Sequence, residues 1–558
     1  MTNWRFLTAI LILAFLVRLG AVNFGLPQSL FGDELVSVAG AFRLLDDYSV
    51  WGNKFLYIPP LFSYILAPIF GVLGALGVIL GKFSGIAGFR EFVILNKEYF
   101  LIVSRIVSAL FGTWTIYLLY LLSKKVFSDW RPAVLSAVLL AADFLHIHES
   151  QVGRFWVPAT FFIVAGMYCI LKMRETKEFR WYLWSALAIG FGFGMSYITI
   201  ILVPWFLAAH FLSADSVRGI WVKLKEKKMM IGGAILLALI VVLSVANLYG
   251  FFRQFGRLAP NFLDFFGIDA PRFTPKTIDP NPFQSVQDLF IFLWSESPLF
   301  LIAGVIGLFV WARKASPNRF LLSLIAGMPV LYGVGMIFGF EKIEHRFVLP
   351  ILPALLLGTS YLLFILLGKY KGSAWRIIIV GVYVAGVYWY SIYPYYLYQR
   401  ILWKKDTRIQ AMEWIEKNIP AGSVVILDVR NTYLNENKAS IEIIKEKSPF
   451  WLNVKERYLL TLSESQYPQP AYLVLDRNHL LAEAIDFSEI SSGYYAFDFW
   501  NQEERSKLPL PENATLIVSF YPRTDILPIH NILQDPRFPR KTLSLIERIG
   551  PYVEIYKF

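Results

Sequence analysis

Three short stretches of the chain carry side chains able to move protons and stabilise charge. The first is Gly32-Asp33-Glu34. The second holds His146, His148, Glu149 and Arg154, and the third reads Glu341-Lys342-Ile343-Glu344-His345-Arg346. Carboxylates gathered with cations suit the transfer of a group from a phosphate leaving group to a hydroxyl. A carboxylate takes the acceptor's proton, and cations stabilise the charge that grows on the departing phosphate. Asp33 and Glu34 are adjacent, about 100° apart on a helix, so they would not share one substrate atom equally. One would be the base and the other its support. Each candidate also has a plainer reading. Asp33 precedes a helical-looking stretch at 35–45 and serves equally well as its N-cap. His148 and Arg154 fit interfacial snorkelling, and Glu344 with Arg346 fits a plain ion pair. A divalent cation at Asp33, Glu34 and the histidines stays open as a cofactor, although no ligand spacing singles one out. Arg18, inside the first apolar run, would neutralise a nearby acid.

The elements that must position these residues are membrane helices. Of the 558 residues, 56% are hydrophobic and only 17% charged, where soluble domains carry about 25% charge. Apolar runs occupy 6–23, 59–80, 99–122, 132–147, 155–171, 181–212, 230–248, 290–311, 320–340, 347–368 and 377–397, and a crossing needs about 20 such residues. A single cysteine, Cys169, excludes an internal disulfide and a cysteine-based zinc site. The net charge of +12 does not mark a nucleic-acid partner. Five connecting stretches, at 124–131, 172–180, 215–228, 313–319 and 369–376, hold eighteen Lys and Arg against five acids (Asp129, Glu175, Glu178, Asp215 and Glu226), so the rest of the chain nets −1. That is the pattern of cytoplasmic loops.

Placing all five loops in the cytoplasm requires 181–212 to be a hairpin of two short spans. As one helix it would be about 48 Å long against a hydrocarbon core of about 30 Å, and Gly190, Gly192 and Gly194 offer a break. The run 59–80 opens with Pro59-Pro60 and follows a loop holding Arg43 and Lys54 against Asp33, Glu34, Asp46 and Asp47. It is therefore expected to lie on the outer surface as an interfacial helix. Eleven crossings follow, with the N-terminal span an uncleaved anchor starting inside and the C-terminus outside. All three polar stretches then share the outer face, where such charge at span ends is a functional-site hypothesis. Composition changes near 400. The expected domains are a membrane domain, 1–399, with a long first external loop at 24–98, and an α/β domain, 400–558. The latter's strands are expected at Ser423–Asp428, Tyr472–Leu475, Leu516–Tyr521 and Val553–Tyr556, and its first helix from about Thr407 to Lys417 behind an Asp406 cap.

The ordered motifs resemble the GT-C superfamily of polyprenyl-phosphate-sugar glycosyltransferases, in particular its protein O-mannosyltransferase and aminoarabinose-transferase-like branch. Gly32-Asp33-Glu34 after the first span is similar to that family's acidic pair, and YIPPLFSYILAP (Tyr57–Pro68) to its Pro-Pro-Leu helix. SRIVSALFGTWTIYLLYLLSKKVF (Ser104–Phe127), HIHESQVGRFWVPATFF (His146–Phe162) and HRFVLPILPALL (His345–Leu356) resemble later spans and turns. DTRIQAMEWIEKNIPAGSVVILD (Asp406–Asp428) and GPYVEIYKF (Gly550–Phe558) are similar to the outer domain of many members. The resemblance covers essentially the whole chain and is specific as a set. It implies a polytopic α-helical membrane protein of GT-C type, with about eleven transmembrane helices and a C-terminal extracytoplasmic α/β domain, in the cell membrane. The implied activity is an inverting glycosyltransferase moving a sugar from a polyprenyl-phosphate donor to a hydroxyl on a lipid, protein or polysaccharide acceptor. By position, Asp33 is implied as the base and Glu34 as a substrate-positioning or metal-associated acid. Arg154, Lys342, His345 and Arg346 would hold the donor phosphate, His148 and Tyr57 would touch substrate, and the loop 249–289 would act as a lid.

Two departures from the family pattern stand out. Ile58 occupies the place before Pro-Pro where many relatives have a basic residue, and Trp156 a place after Arg154 where relatives often have an acid. The oligosaccharyltransferase signature Trp-Trp-Asp-Tyr-Gly is absent from the sequence. A transporter or lipid flippase is the runner-up, opposed by the lack of an inverted repeat and by charges gathered at one face rather than at midplane. A non-catalytic scaffold is the third reading.

Overall fold

The computed structural model describes residues 2–28, 30, 32–46, 59–212, 217–248, 250–252, 260, 281–314, 319–340, 343–370, 372–447, 452–476, 492–507, 510, 513–523 and 540–558. The chain packs as two units. One comprises Met1–Val22, Val36–Gly71 and Ile102–Tyr395, the other Asn23–Leu35, Val72–Leu101 and Tyr396–Phe558.

The first unit is built of apolar helices, the form in which a chain satisfies its own backbone in lipid. Among the described residues seven helical runs are long and apolar enough to cross a membrane. They are Leu61–Ile79, Ile86–Phe127, Trp156–Thr176, Lys227–Ala246, Arg319–Gly339, Leu352–Lys369 and a run beginning at Ala374. Two further pairs pass only together. Trp130–Ala142 with Phe144–Ser150 bends by 59°, and Pro282–Glu296 with Pro298–Lys314 bends by 103°. Counting each pair as one span gives nine. The expectation of eleven left out Leu61–Ile79 and included three shorter elements, Tyr197–Phe211 and Thr2–Arg18 and Phe179–Met195, of 17 residues each, which rise only about 26 Å. Leu61–Ile79 has the length and apolarity of a span, so its interfacial placement rests on the charge of its flanking loop and the Pro59-Pro60 opening.

Side-chain caps explain both bends. Asp143 is extended, and its carboxylate accepts from the His146 backbone N–H at 2.9 Å, starting a new helix inside an apolar run. Ser297 is extended ahead of Pro298, as the residue before proline prefers, and its hydroxyl accepts from the Phe300 N–H at 3.2 Å. The expected single run 290–311 is therefore two helices at nearly a right angle. The hairpin at 181–212 breaks as well, but not in the glycine run. Phe179–Met195 continues through Gly190, Gly192 and Gly194, and the break falls at the extended Ser196. Those glycines instead admit neighbours, since a Cβ on Gly190 would lie 2.5 Å from Leu239 and one on Gly194 2.7 Å from Leu243.

The closest helix pairing is that of Pro298–Lys314 with Leu352–Lys369. A Cβ on Gly307 would stand 1.9 Å from the Gly358 carbonyl oxygen, and one on Gly358 2.1 Å from that of Gly304. Lipid supplies no hydrophobic drive between helices, so small residues that let backbones approach carry the association. Gly307→Leu should accordingly lower stability by about 1–3 kcal/mol, read by thermal unfolding of the purified chain in detergent. Gly368→Leu, where a Cβ meets nothing within 4 Å, should change it by less than about 0.5 kcal/mol.

In the second unit five strands form one mixed sheet: β1 (Val424–Asp428), β2 (Leu473–Asp476), β3 (Tyr494–Phe499), β4 (Thr515–Phe520) and β5 (Tyr552–Lys557), in the order β2-β1-β3-β5-β4. β1 is parallel to β2 and β3, while β5 is antiparallel to β3 and β4. The helix Thr407–Asn418 lays Ala411, Met412 and Ile415 on Val425, Leu427, Val553 and Ile555. Its cap is Asp406, as expected, with the Arg408 N–H donating at 2.9 Å. The same carboxylate takes two bonds from the buried Arg408 guanidinium, at 3.0 and 2.9 Å. Elsewhere, burial pushes the Asp498 carboxyl above the ordinary range, against the opposing pull of Arg430 at 2.8 Å. Asp406→Ala strands a buried cation and should cost about 3–5 kcal/mol. Lys405→Ala, which removes only the exposed pair with Glu413, should cost under about 1 kcal/mol. Urea unfolding and proteolytic susceptibility of the full chain distinguish the two.

Candidate active site

The turn between Ala142 and Trp156 gathers buried polar side chains, among them Asp143, His146, His148, Glu149 and Arg154. Every residue of Phe144–Ser150 is buried, and Asp143 caps it from within the bend. Arg18, at the end of Thr2–Arg18, reaches this turn and is itself buried. Its guanidinium donates to the carbonyls of Ala14 at 3.0 Å, Leu140 at 3.3 Å and Ala141 at 3.4 Å. It also lies 2.8 Å from His146 Nδ1. Guanidinium nitrogens only donate, so His146 accepts at Nδ1 and carries its proton on Nε2. The expectation that Arg18 neutralises an acid therefore becomes a broader role. It satisfies carbonyls at the negative end of Trp130–Ala142, bonds the histidine and stands within electrostatic reach of Asp143.

A second polar cluster comes from two later segments. Glu296 ends the helix Pro282–Glu296, and its carboxylate lies 2.5 Å from His345 Nε2, the two side chains being 6% and 1% exposed. The Phe292 ring packs 5.6 Å from His345. Glu296 and His345 both act electrostatically on Asp143, so the first bend, the second bend and the turn His345–Val348 converge. Trp156, two residues after Arg154, packs 4.6 Å from Phe347, the neighbour of Arg346. Arg154 is buried, and Arg346 pairs with Glu344 at 2.6 Å. His148 is buried beside Glu149, 3.7 Å from its carboxylate, and stacks on Phe144.

Asp33 and Glu34 stand in the first turn of the helix Gly32–Asp46, where its dipole favours acids. Asp33 is half-buried, Glu34 is buried, and both belong to the second unit. Tyr57, Lys342 and, of the loop 249–289, residues 249, 253–259 and 261–280 lie outside the described residues. Among the described residues no group of three or more His, Cys, Asp or Glu is arranged to hold a metal ion. Sequence reasoning missed Asp143 and Glu296. The available signal was a lone carboxylate inside an apolar run, which is costly unless it is paired or functional.

Fold and site together define a polytopic α-helical membrane protein with a C-terminal α/β domain and a buried ionic cluster in its helical part. Residues 94–246 match the family model described as dolichyl-phosphate-mannose-protein mannosyltransferase. That stretch contains Ser104–Phe127 and His146–Phe162, two of the segments on which the resemblance rests. No curated protein sequence matches the chain. Among solved structures, ArnT of Cupriavidus metallidurans bound to undecaprenyl phosphate is similar at 13% identity and a TM-score of 0.48, over 100% of this chain and 98% of that one. The apo oligosaccharyltransferase of Archaeoglobus fulgidus is similar at 14% identity and a TM-score of 0.42, over 75% of this chain and 62% of that one. The S. cerevisiae protein O-mannosyltransferase complex bound to the sugar donor follows at 17% identity and a TM-score of 0.33, over 49% and 38%. The chain therefore spans about 62% of the length of the archaeal enzyme it matches.

The Glu296–His345 contact is open to test. Glu296→Ala would leave His345 without its acid in a buried setting and should destabilise the full chain by about 3 kcal/mol or more. Glu296→Gln, which keeps an acceptor, should retain most of that stability in the same thermal unfolding measurement.

Proposed function

We propose that the protein is a membrane glycosyltransferase that moves a sugar from a polyprenyl-phosphate donor to a hydroxyl acceptor, with inversion, at the extracytoplasmic face. One observation carries this reading. The segment matching the mannosyltransferase family contains the His146–Arg154 turn, whose charges are buried with Glu296 and His345 in an otherwise apolar helical unit. In the proposed reaction Asp33 takes the proton of the acceptor hydroxyl, whose oxygen attacks the anomeric carbon opposite the phosphate. The bond between that carbon and the phosphate oxygen breaks, and polyprenyl phosphate leaves with the bonding pair. Arg154, Lys342, His345 and Arg346 hold the charge it gains. Glu34 positions substrate, and His148 and Tyr57 contact it. The basic loops support a cytoplasmic N-terminus, and with it an extracytoplasmic position for the three polar stretches and for residues 400–558. The acceptor is a lipid, protein or polysaccharide of the cell envelope.

The test is transfer from a radiolabelled polyprenyl-phosphate sugar pool to a membrane extract by purified protein. Wild type should release label, whereas Asp33→Asn should lower turnover by about 10²–10⁴-fold with unchanged thermal unfolding. Full activity in that variant removes Asp33 as the base. Absence of both release and donor binding in the wild type removes the transferase reading.

A further inference from the structure

We propose that a basic basin at one end of the helical unit binds the phosphate headgroup of an anionic phospholipid in the adjoining leaflet. The basin is an open depression of about 700 Å³ lined by Phe179, Glu226, Lys227, Lys228 and Ile231. Two helices begin at it, Phe179–Met195 and Lys227–Ala246, and neither N-cap residue, Glu178 or Glu226, bonds the first turn through its side chain. The positive ends of two helix dipoles thus open on one depression. They lie side by side, with a Cβ on Gly232 only 3.2 Å from Tyr182.

Lys228 is held in place rather than left to roam. Its ammonium donates to the Lys177 carbonyl at 3.2 Å, lies 3.1 Å from the Glu226 carboxylate and sits 5.6 Å over the Tyr182 ring. The Tyr182 hydroxyl is fixed in turn, 2.7 Å from His210 Nδ1. Glu226 offsets part of the charge, and Glu178 pairs with Arg180. Even so, the stretches 172–180 and 223–228 hold eight Lys and Arg against three Glu. The general bias of basic loops toward one face of a membrane accounts for lysines there. It requires neither a depression between two helix starts nor a lysine fixed at three points.

The apolar flank of the basin identifies the source of the phosphate. Phe179, Trp184 and Met230, on the same two helices, are large and exposed, and they extend the site along a surface suited to acyl chains. A phospholipid covers this surface while its headgroup meets the lysines. A free phosphate would leave it bare. Basic pockets between membrane helices bind lipid headgroups on the same principle.

The experiment is native mass spectrometry of the full chain in detergent, titrated with dioctanoyl phosphatidylglycerol, dioctanoyl phosphatidylcholine and inorganic phosphate. One phosphatidylglycerol should bind in preference to phosphatidylcholine and should resist displacement by millimolar inorganic phosphate. Lys227→Gln with Lys228→Gln should weaken it roughly tenfold to thirtyfold, while Lys227→Arg with Lys228→Arg should preserve it. Should the double variant fail to fold, Lys227→Gln alone, at an exposed side chain, should still weaken binding several-fold. Equal affinity for both lipids, or unchanged affinity in the Gln variants, would overturn the proposal. Displacement by inorganic phosphate would overturn the lipid source.

Discussion

A charge buried among apolar helices sets the terms for the rest of this molecule. Moving an ion from water to such an interior costs several kcal/mol even after relaxation, yet Arg18, Asp143, Glu296 and His345 are all buried there. The Arg18 guanidinium shows how the cost is met. It takes the carbonyls of Leu140 and Ala141, left open because Trp130–Ala142 stops at Asp143. The bend would leave those acceptors bare without the cation, and the cation would lack partners without the bend. His146 completes the set by accepting at Nδ1.

The second bend works by a different balance. Asp143 stands at the start of a short helix, where the dipole favours a carboxylate. Glu296 stands at the end of one, where the dipole opposes it. Its 2.5 Å contact with His345 offsets that penalty, which ties the helix Pro282–Glu296 to the turn His345–Val348. Glu296, His345 and Arg18 all stand within electrostatic reach of Asp143, which couples the two bends. A cluster of this kind is held by mutual dependence, and it brings into one place residues more than 300 positions apart.

The spans were legible in the sequence because apolar runs dominate their averages, and for the same reason their breaks were not. One Asp in 132–147 and one Ser-Pro step in 290–311 disappear into a hydropathy average, yet each reroutes the backbone through a local cap. Gly190, Gly192 and Gly194 misled in the opposite direction. Glycine allows a break but also allows close packing, and here the neighbours Leu239 and Leu243 use the space. In the second unit four strands and the Asp406 cap could be read from pattern. β3, with the sequence Tyr-Tyr-Ala-Phe-Asp-Phe, could not, because a central strand buried on both faces shows no alternation. His146, Arg154, His345 and Arg346 stood out by type, whereas the partners Asp143 and Glu296 depend on folds of the chain that no local pattern announces.

The two units hold themselves together by different forces. In the first, Gly304 and Gly307 against Gly358 gain contact between backbones, because lipid makes burying another leucine worth little. In the second, Ala411, Met412 and Ile415 are buried against Val425, Leu427 and Ile555 of the sheet, and apolar burial does most of the stabilising there. Its polar bonds then close the chain on itself: Thr407 donates to Ile549 through its N–H at 3.1 Å and to Pro551 through its hydroxyl at 2.7 Å. Those bonds pin the entry of the domain to its last strand, beside the Asp406–Arg408 pair. Fit between surfaces therefore governs the helical unit, while burial and chain closure govern the other. A substitution that adds bulk is the sharper perturbation in the first, and one that strands a charge is sharp in both.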